Sequence, residues 1–190
     1  MIAFPEDDEV LKREIALQLH KEPTVVIVGV CKWGSFVPAL NRLLYEARAR
    51  NAQHILFQSV EVECPSQAIQ DMHSTLTSTN ALVVGLRLHG HAFQEGIRRL
   101  DGLTTPWNTM ALWSVAKLCL IGFVMVAEGL EGEWLGGVEE VATIAVLQKI
   151  IGKDNAKAFV LQSGQETRQA EIKWNSEWLL LLCILVSFVY

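Results

Sequence analysis

The stretch Ile55-Leu56-Phe57-Gln58-Ser59-Val60-Glu61-Val62-Glu63 constrains this chain more than any other. It begins as a continuous apolar run and then alternates, with Val60 and Val62 on one face and Ser59, Glu61 and Glu63 on the other. Such a run predicts a strand buried on both faces, and the late row of carboxylates predicts that its carboxyl end surfaces. In open α/β sheets, ligands bind at the carboxyl ends of the strands. Cys64-Pro65 then ends the strand, because proline has no N–H to give to a ladder. A buried strand that delivers acids to a rim reads either as a metal or phosphate site or as a solvated strand end.

The elements around it follow a strand-helix alternation. Thr24 to Val30 is β-branched and apolar throughout, which predicts a central parallel strand. Phe36 to Arg50 is amphipathic, with Leu40, Leu43, Leu44 and Ala47 inward and Arg42, Glu46, Arg48 and Arg50 outward. Gln67 to Thr77 is a second helix, facing inward through Ile69, Met72 and Leu76, and Ala81 to Leu88 is a further strand. A short stub at Ile2-Ala3-Phe4 and a helix from about Glu9 to His20 precede them. This order predicts an α/β fold, a three-layer sandwich with a mostly parallel central sheet. Gly29, Gly34 and Ser35 match neither GxGxxG nor GxxxxGK[ST], which excludes both phosphate-loop readings.

Beyond Leu88, His89-Gly90-His91 places two histidines at i and i+2, open to joint metal binding or to loop and ligand contacts. The segment Thr104 to Thr109 leads into a predicted helix from about Met110 to Leu120, with Asn108 or Thr109 as its N-cap and Gly122 at its end. Gly129, Gly132, Gly136 and Gly137 predict a mobile loop in which Trp134 is a candidate lid contact. A helix opens at Val138-Glu139-Glu140-Val141, its inner face carrying Val141, Ile144, Leu147 and Ile151. Acids in a first turn complement the helix dipole, worth about 0.3–1 kcal/mol each.

Composition narrows the function classes. A net charge of −5 predicts no nucleic-acid partner. Cys31, Cys64, Cys119 and Cys183 form neither a CxxC nor a zinc spacing and read as reduced thiols. The first eight residues lack the basic and apolar regions of a signal peptide. Together these predict the cytoplasm or the cytosolic face of a membrane. We expect one domain over residues 1–162, followed by a polar linker and an apolar tail over 163–190. The tail's apolar run, Trp178 to Tyr190, has 13 residues, whereas a spanning helix needs about 17–25. It reads as a buried element, a partner-binding tail or a non-homologous end.

Three ordered blocks carry a resemblance. Lys32 to Asn41, with the helix to Arg50 and then Ile55 to Val62, looks like "N-x-G … A-x-N … A … I-L-F-L-D-x-D-V-x-P". Asn108 to Ser114, running on to Gly122-Phe123, is similar to "N-M-A-[FL]-R-R-x-x-L … G-G-F-D-E". Gly137-Val138-Glu139-Glu140 looks like "G-E-D". From about residue 24 to 150 the chain resembles the inverting glycosyltransferases of family 2, which have the GT-A nucleotide-diphospho-sugar transferase fold.

The resemblance implies a protein that binds a nucleotide-sugar and transfers the sugar to an acceptor hydroxyl with inversion. It implies Glu140 as general base with Glu139 beside it, Glu61 as ligand of a Mn²⁺ or Mg²⁺ ion, and Asn108, Trp107, His89 and Arg87 around sugar or acceptor. The neighbouring carboxylate would raise the pKa of the base toward its working range. The family's DxD is here Ser59-Val60-Glu61, a hydroxyl in place of the first acid. Ile2 to His20 match only the family's second strand and helix, so its first strand-helix unit has no counterpart and the chain reads as a shortened or degenerate member. The alternative is a non-catalytic GT-A-like binding or interaction module, docked through its apolar tail to a partner or membrane.

Overall fold

The computed structural model describes residues 2–5, 27–30, 36–59, 62, 66–128, 139–162 and 181–186. Seven strands are described: β1 (Ile2–Pro5), β2 (Ile27–Val30), β3 (His54–Ser59), β4 (Val83–Leu86), β5 (Met110–Ser114), β6 (Ala158–Leu161) and β7 (Leu181–Val186). Four helices accompany them: α1 (Phe36–Ala49), α2 (Ser66–Ser78), the single turn α3 (Val115–Leu118) and α4 (Glu139–Ile151), with a 3₁₀ turn at Met125–Glu128. The expected helix over Glu9 to His20, the glycine-rich loop with Trp134, and Glu61 and Glu63 lie outside the described residues.

The strands form one open sheet in the order β2-β1-β7-β3-β5-β4-β6. The protein is α/β, but the sheet is mixed, which corrects the expectation of a mostly parallel one. Among the described strands only β1–β2 and β4–β6 pair in parallel, and the other four pairings are antiparallel. The reason is connectivity. A parallel neighbour needs a crossover, usually a helix, whereas the chain after β4 runs through residues 87–109 without one and comes back as β5, between β3 and β4. Residues Leu181–Val186, assigned to the tail in the sequence, form the strand between β1 and β3.

β5 also overturns the helix predicted over Met110 to Leu120. Met110-Ala111-Leu112-Trp113 is buried on both faces and paired on both edges, to β3 and β4. Helix propensity differences are tenths of a kcal/mol per residue, so a strand slot with two ladders and two apolar faces overrides them. Only Val115–Leu118 remains helical, and its N-cap is Ser114, not Asn108 or Thr109. The key strand is described over His54–Ser59, and the Val62 N–H donates to the Ser59 carbonyl at 3.1 Å.

The sheet is packed on both faces by the period-two rule. Ile55, Phe57, Val83, Ala111 and Trp113 join α1 (Leu40, Leu43, Leu44, Ala47) and α4 (Ile144, Leu147) in one cluster. Leu56, Val84, Leu86, Met110 and Leu112 join α2 (Ala68, Met72, Leu76) in the other. The inward faces of α1 and α2 are therefore as the sequence pattern predicts, apart from Ile69, which is half-buried. At the amino edge Lys117 Nζ donates to the carbonyls of Asn80 (2.6 Å) and Asn155 (2.8 Å), tying the entries to β4 and β6.

Asn41, on α1, clamps the turn after α3. Its Nδ2 donates to the Phe123 carbonyl at 2.9 Å and its Oδ1 accepts from the Phe123 N–H at 2.8 Å. Gly122 makes the approach with φ +70°, and a Cβ there would lie 2.7 Å from Asn41 Oδ1. Gly122→Ala should therefore cost more than the ~1–2 kcal/mol of left-handed backbone alone. Asn41→Leu should cost about 1–3 kcal/mol by leaving the Phe123 groups unpaired. Urea unfolding of both variants checks the clamp, and unchanged midpoints would show that it holds nothing.

Candidate active site

β3, β4 and β6 run in the same direction, because both β3 and β4 are antiparallel to β5 and β6 is parallel to β4. Their carboxyl ends define one edge of the sheet. The amino end of β5 reaches the same edge, since Met110 pairs with Gln58 at the end of β3. The Ser59 N–H donates to the Thr109 carbonyl at 2.8 Å, which holds the end of the key strand against the residues entering β5.

Asn108 is the centre of this edge. Its backbone N–H donates to Glu140 Oε1 at 2.6 Å, and its side-chain Nδ2 donates to Glu139 Oε1 at 3.2 Å. Its Oδ1 accepts from the Trp113 indole N–H at 2.9 Å. Asn108 is 1% exposed, Glu139 4% and Glu140 5%. Those values separate two readings of the paired acids. Helix starters that only complement a dipole sit in water, whereas these two carboxylates are inside the protein and are met by one asparagine 31 and 32 residues away in sequence.

Burial and the adjacent Glu139 push the Glu140 carboxyl up from 4.5 to about 8, against the pull of the Asn108 N–H. Taking a carboxylate out of water disfavours its charged form, and a second carboxylate nearby adds to that. Glu140 is thus mainly protonated at neutral pH and becomes a base as the pH rises through 8.

The remaining predicted contact residues lie at the same edge but in different states. Arg87 is exposed, its guanidinium over the Phe93 ring at 5.2 Å, and His89 is exposed. Trp107 is half-buried, donates through Nε1 to the Gly102 carbonyl at 2.7 Å and stacks on His91 with ring centroids 3.9 Å apart. His91 Nδ1 accepts from the Leu88 N–H at 2.9 Å and Nε2 donates to the Thr105 carbonyl at 3.0 Å. Both ring nitrogens are therefore engaged by backbone, which removes His91 from the joint metal site that the HGH spacing left open. Burial holds its pKa below the usual range, and the bond to the Thr105 carbonyl partly offsets this. Asn108 meets the acids, and Trp107, through His91, pins the loop that lies before it.

Among the described residues no group of three or more His, Cys, Asp or Glu side chains comes together to hold a metal ion. The expected ligand, Glu61, lies outside the described residues. Among the described residues no helix is long and apolar enough to cross a membrane. Sequence reasoning missed Trp113. It read Trp113 as part of a helix, and the only available signal was an indole five residues after an asparagine. No family model, curated protein or solved structure matches this chain.

The acid pair makes stability depend on pH with a definite sign. Glu140 has a folded pKa of about 8, above its unfolded 4.5, so its favourable contribution is complete below 4.5 and is lost as the pH rises through 8. Half-buried His54 and His91 and buried His73 act in the opposite sense, because desolvation lowers all three from 6.5 and stability falls as the pH drops below 6.5 and the unfolded chain takes up their protons. The window from 6.5 to 8 isolates the glutamate. There stability should fall by up to ~1.4 kcal/mol per pH unit for the one proton, and Glu140→Gln should flatten the fall. Denaturant titrations at several pH values read it directly.

Proposed function

We propose that this chain is a glycosyltransferase-like protein of GT-A type, a three-layer α/β domain that binds a nucleotide-sugar and transfers the sugar to an acceptor hydroxyl with inversion. The observation that carries the reading is the meeting of Asn108 with Glu139 and Glu140. These residues come from two of the blocks that resemble the family. They meet at the carboxyl edge of the sheet, beside Thr109, whose carbonyl holds the end of β3, where the first block's Ser59-Val60-Glu61 begins.

In this reading Glu140 is the general base. Its Oε1 is taken by the Asn108 N–H, so Oε2 receives the acceptor's proton. The acceptor oxygen then forms its bond to the anomeric carbon from the face opposite the diphosphate. The bond from that carbon to the phosphate oxygen breaks, and its electron pair leaves with the nucleotide diphosphate. Opposite-face attack gives inversion. A base with a pKa near 8 is matched to the removal of a hydroxyl proton near neutral pH. Arg87, His89 and Trp107 supply polar and aromatic surface for sugar or acceptor. The resemblance also assigns a Mn²⁺ or Mg²⁺ ion to Glu61, where it would neutralise the leaving diphosphate. The steps above stand without it.

One observation favours the alternative, a non-catalytic GT-A-like module. Both acids are buried and both are already met by Asn108, as in a network that only holds β5 to α4. Calorimetric titration with nucleotide-sugars, with and without Mn²⁺, separates the readings from a chain that binds no such ligand. In the catalytic reading Glu140→Gln keeps binding and loses transfer by roughly 10²-fold or more, the usual contribution of a positioned base. Transfer by the unaltered chain should rise with pH through about 8, and Glu61→Ala should weaken binding only when Mn²⁺ is present. Binding without transfer leaves the module, and no binding removes both.

A further inference from the structure

Pro106 rests directly on the backbone of β4. A Cβ added at Gly85 would lie 2.7 Å from Pro106 Cβ, 3.2 Å from Pro106 Cα and 3.0 Å from the Met110 carbonyl oxygen. Gly85 has strand backbone and no left-handed φ, so the fold uses its missing side chain and not its conformational freedom. Period two puts the missing side chain on the side of Val83, which belongs to the cluster of α1 and α4. Pro106 therefore lies on the face of the sheet against which α4 packs. The next residue has a similar seat: a Cβ at Gly90 would lie 3.0 Å from Trp107 Cη2. The chain then turns. The Met110 N–H donates to the Trp107 carbonyl at 2.9 Å, which closes a turn with Asn108 and Thr109 at its centre. The first central residue of such a turn has its own N–H left over. That is the N–H that Glu140 accepts.

We propose that Gly85 is a positioning residue of the candidate site: by carrying no side chain it lets Pro106 lie against β4, and this seat sets the turn that aims the Asn108 N–H at Glu140 and the Asn108 side chain at Glu139. Both sides of the contact are stiff. One is the backbone of a strand paired on both edges, to β5 and to β6. The other is a proline ring, which is tied to its own backbone and cannot swing aside. A methyl group at position 85 must therefore lift the loop. Asn108 moves with the loop, whereas the two acids stay on α4. The bearing of this seat on sugar transfer rests on the transferase reading. The placing of Asn108 does not.

The test uses the full chain, with no sugar present, and follows two protons by ¹H–¹⁵N NMR. One is the Asn108 backbone amide, which donates to Glu140, and the other is the Trp113 indole N–H, which donates to Asn108 Oδ1. Gly85→Ala should move both signals upfield as the two hydrogen bonds lengthen. Pro106→Gly removes the ring from the seat and should also move both. In the double variant the methyl group takes up space that the ring has left, so both signals should return toward their original positions. Met72→Ala, wholly buried on the other face of the sheet, lowers stability too and should leave both signals in place. If Gly85→Ala does not fold, Pro106→Gly decides. A folded single variant with both signals unmoved overturns the proposal. So does a double variant displaced by the sum of the singles, because the two residues would then not act through one contact. Where the unaltered chain transfers sugar, Gly85→Ala should lower kcat by about 10²-fold with KM for the nucleotide-sugar little changed, the usual effect of a small misplacement. Displaced signals in a protein that transfers no sugar keep the seat and remove only the transferase reading.

Discussion

The structure depends on the antiparallel pairing of β5 with β3. Five residue pairs, from His54–Ser114 to Gln58–Met110, set the register. That register puts Ala111 and Trp113 on the α1 and α4 side and Met110 and Leu112 on the α2 side. A slip of one residue would exchange the two sets and push Trp113 into the wrong cluster. The same register carries the loop before β5 to the carboxyl edge, where Asn108 meets α4. Core and candidate site are therefore consequences of one ladder.

Much of this was legible in the sequence. Ile55-Leu56-Phe57 has no polar side, so it had to be buried on both faces, and it is. The 3.6-residue patterns of α1 and α2 fixed their inward faces, because each packs one stripe on a sheet. Met110 to Leu120 misled for the opposite reason. MALWSVAKLCL is apolar apart from Ser114 and Lys117, which a helix would place three residues apart on one side, and its opening MALW fits a buried strand as well as a buried helix. The two ladders that decide the matter come from residues 54–58 and 83–85, distant in sequence. The reversal of β5 was invisible too, since a loop of 23 residues, 87–109, gives no sign of the direction in which it will return.

The site was legible in its members and not in their arrangement. Glu140, Glu139 and Asn108 were named from a resemblance, with Asn108 expected to cap a helix. The structure gives that asparagine a different partner set, two carboxylates and an indole. Hydrogen-bond partners separated by more than thirty residues leave no local pattern. The cost of the arrangement is visible in Glu140, whose proton is retained far above the range of a solvated acid. A buried pair of carboxyl groups is a burden on the fold, and sites of chemistry are where such burdens are commonly found.

The place of β7 has a consequence for how the chain is made. Its residues, Leu181–Val186, pair with β1 at residues 2–3 on one side and with His54–Ser59 on the other. During synthesis they emerge after every other described strand. Until then β2-β1 and β3-β5-β4-β6 are two separate half-sheets, each with an open edge where β7 will go. The joining step closes a loop of nearly the whole chain, a high-contact-order event of the kind that slows folding. An apolar edge left open during translation is the species most exposed to aggregation. The nascent chain thus keeps two unpaired sheet edges until β7 arrives between them.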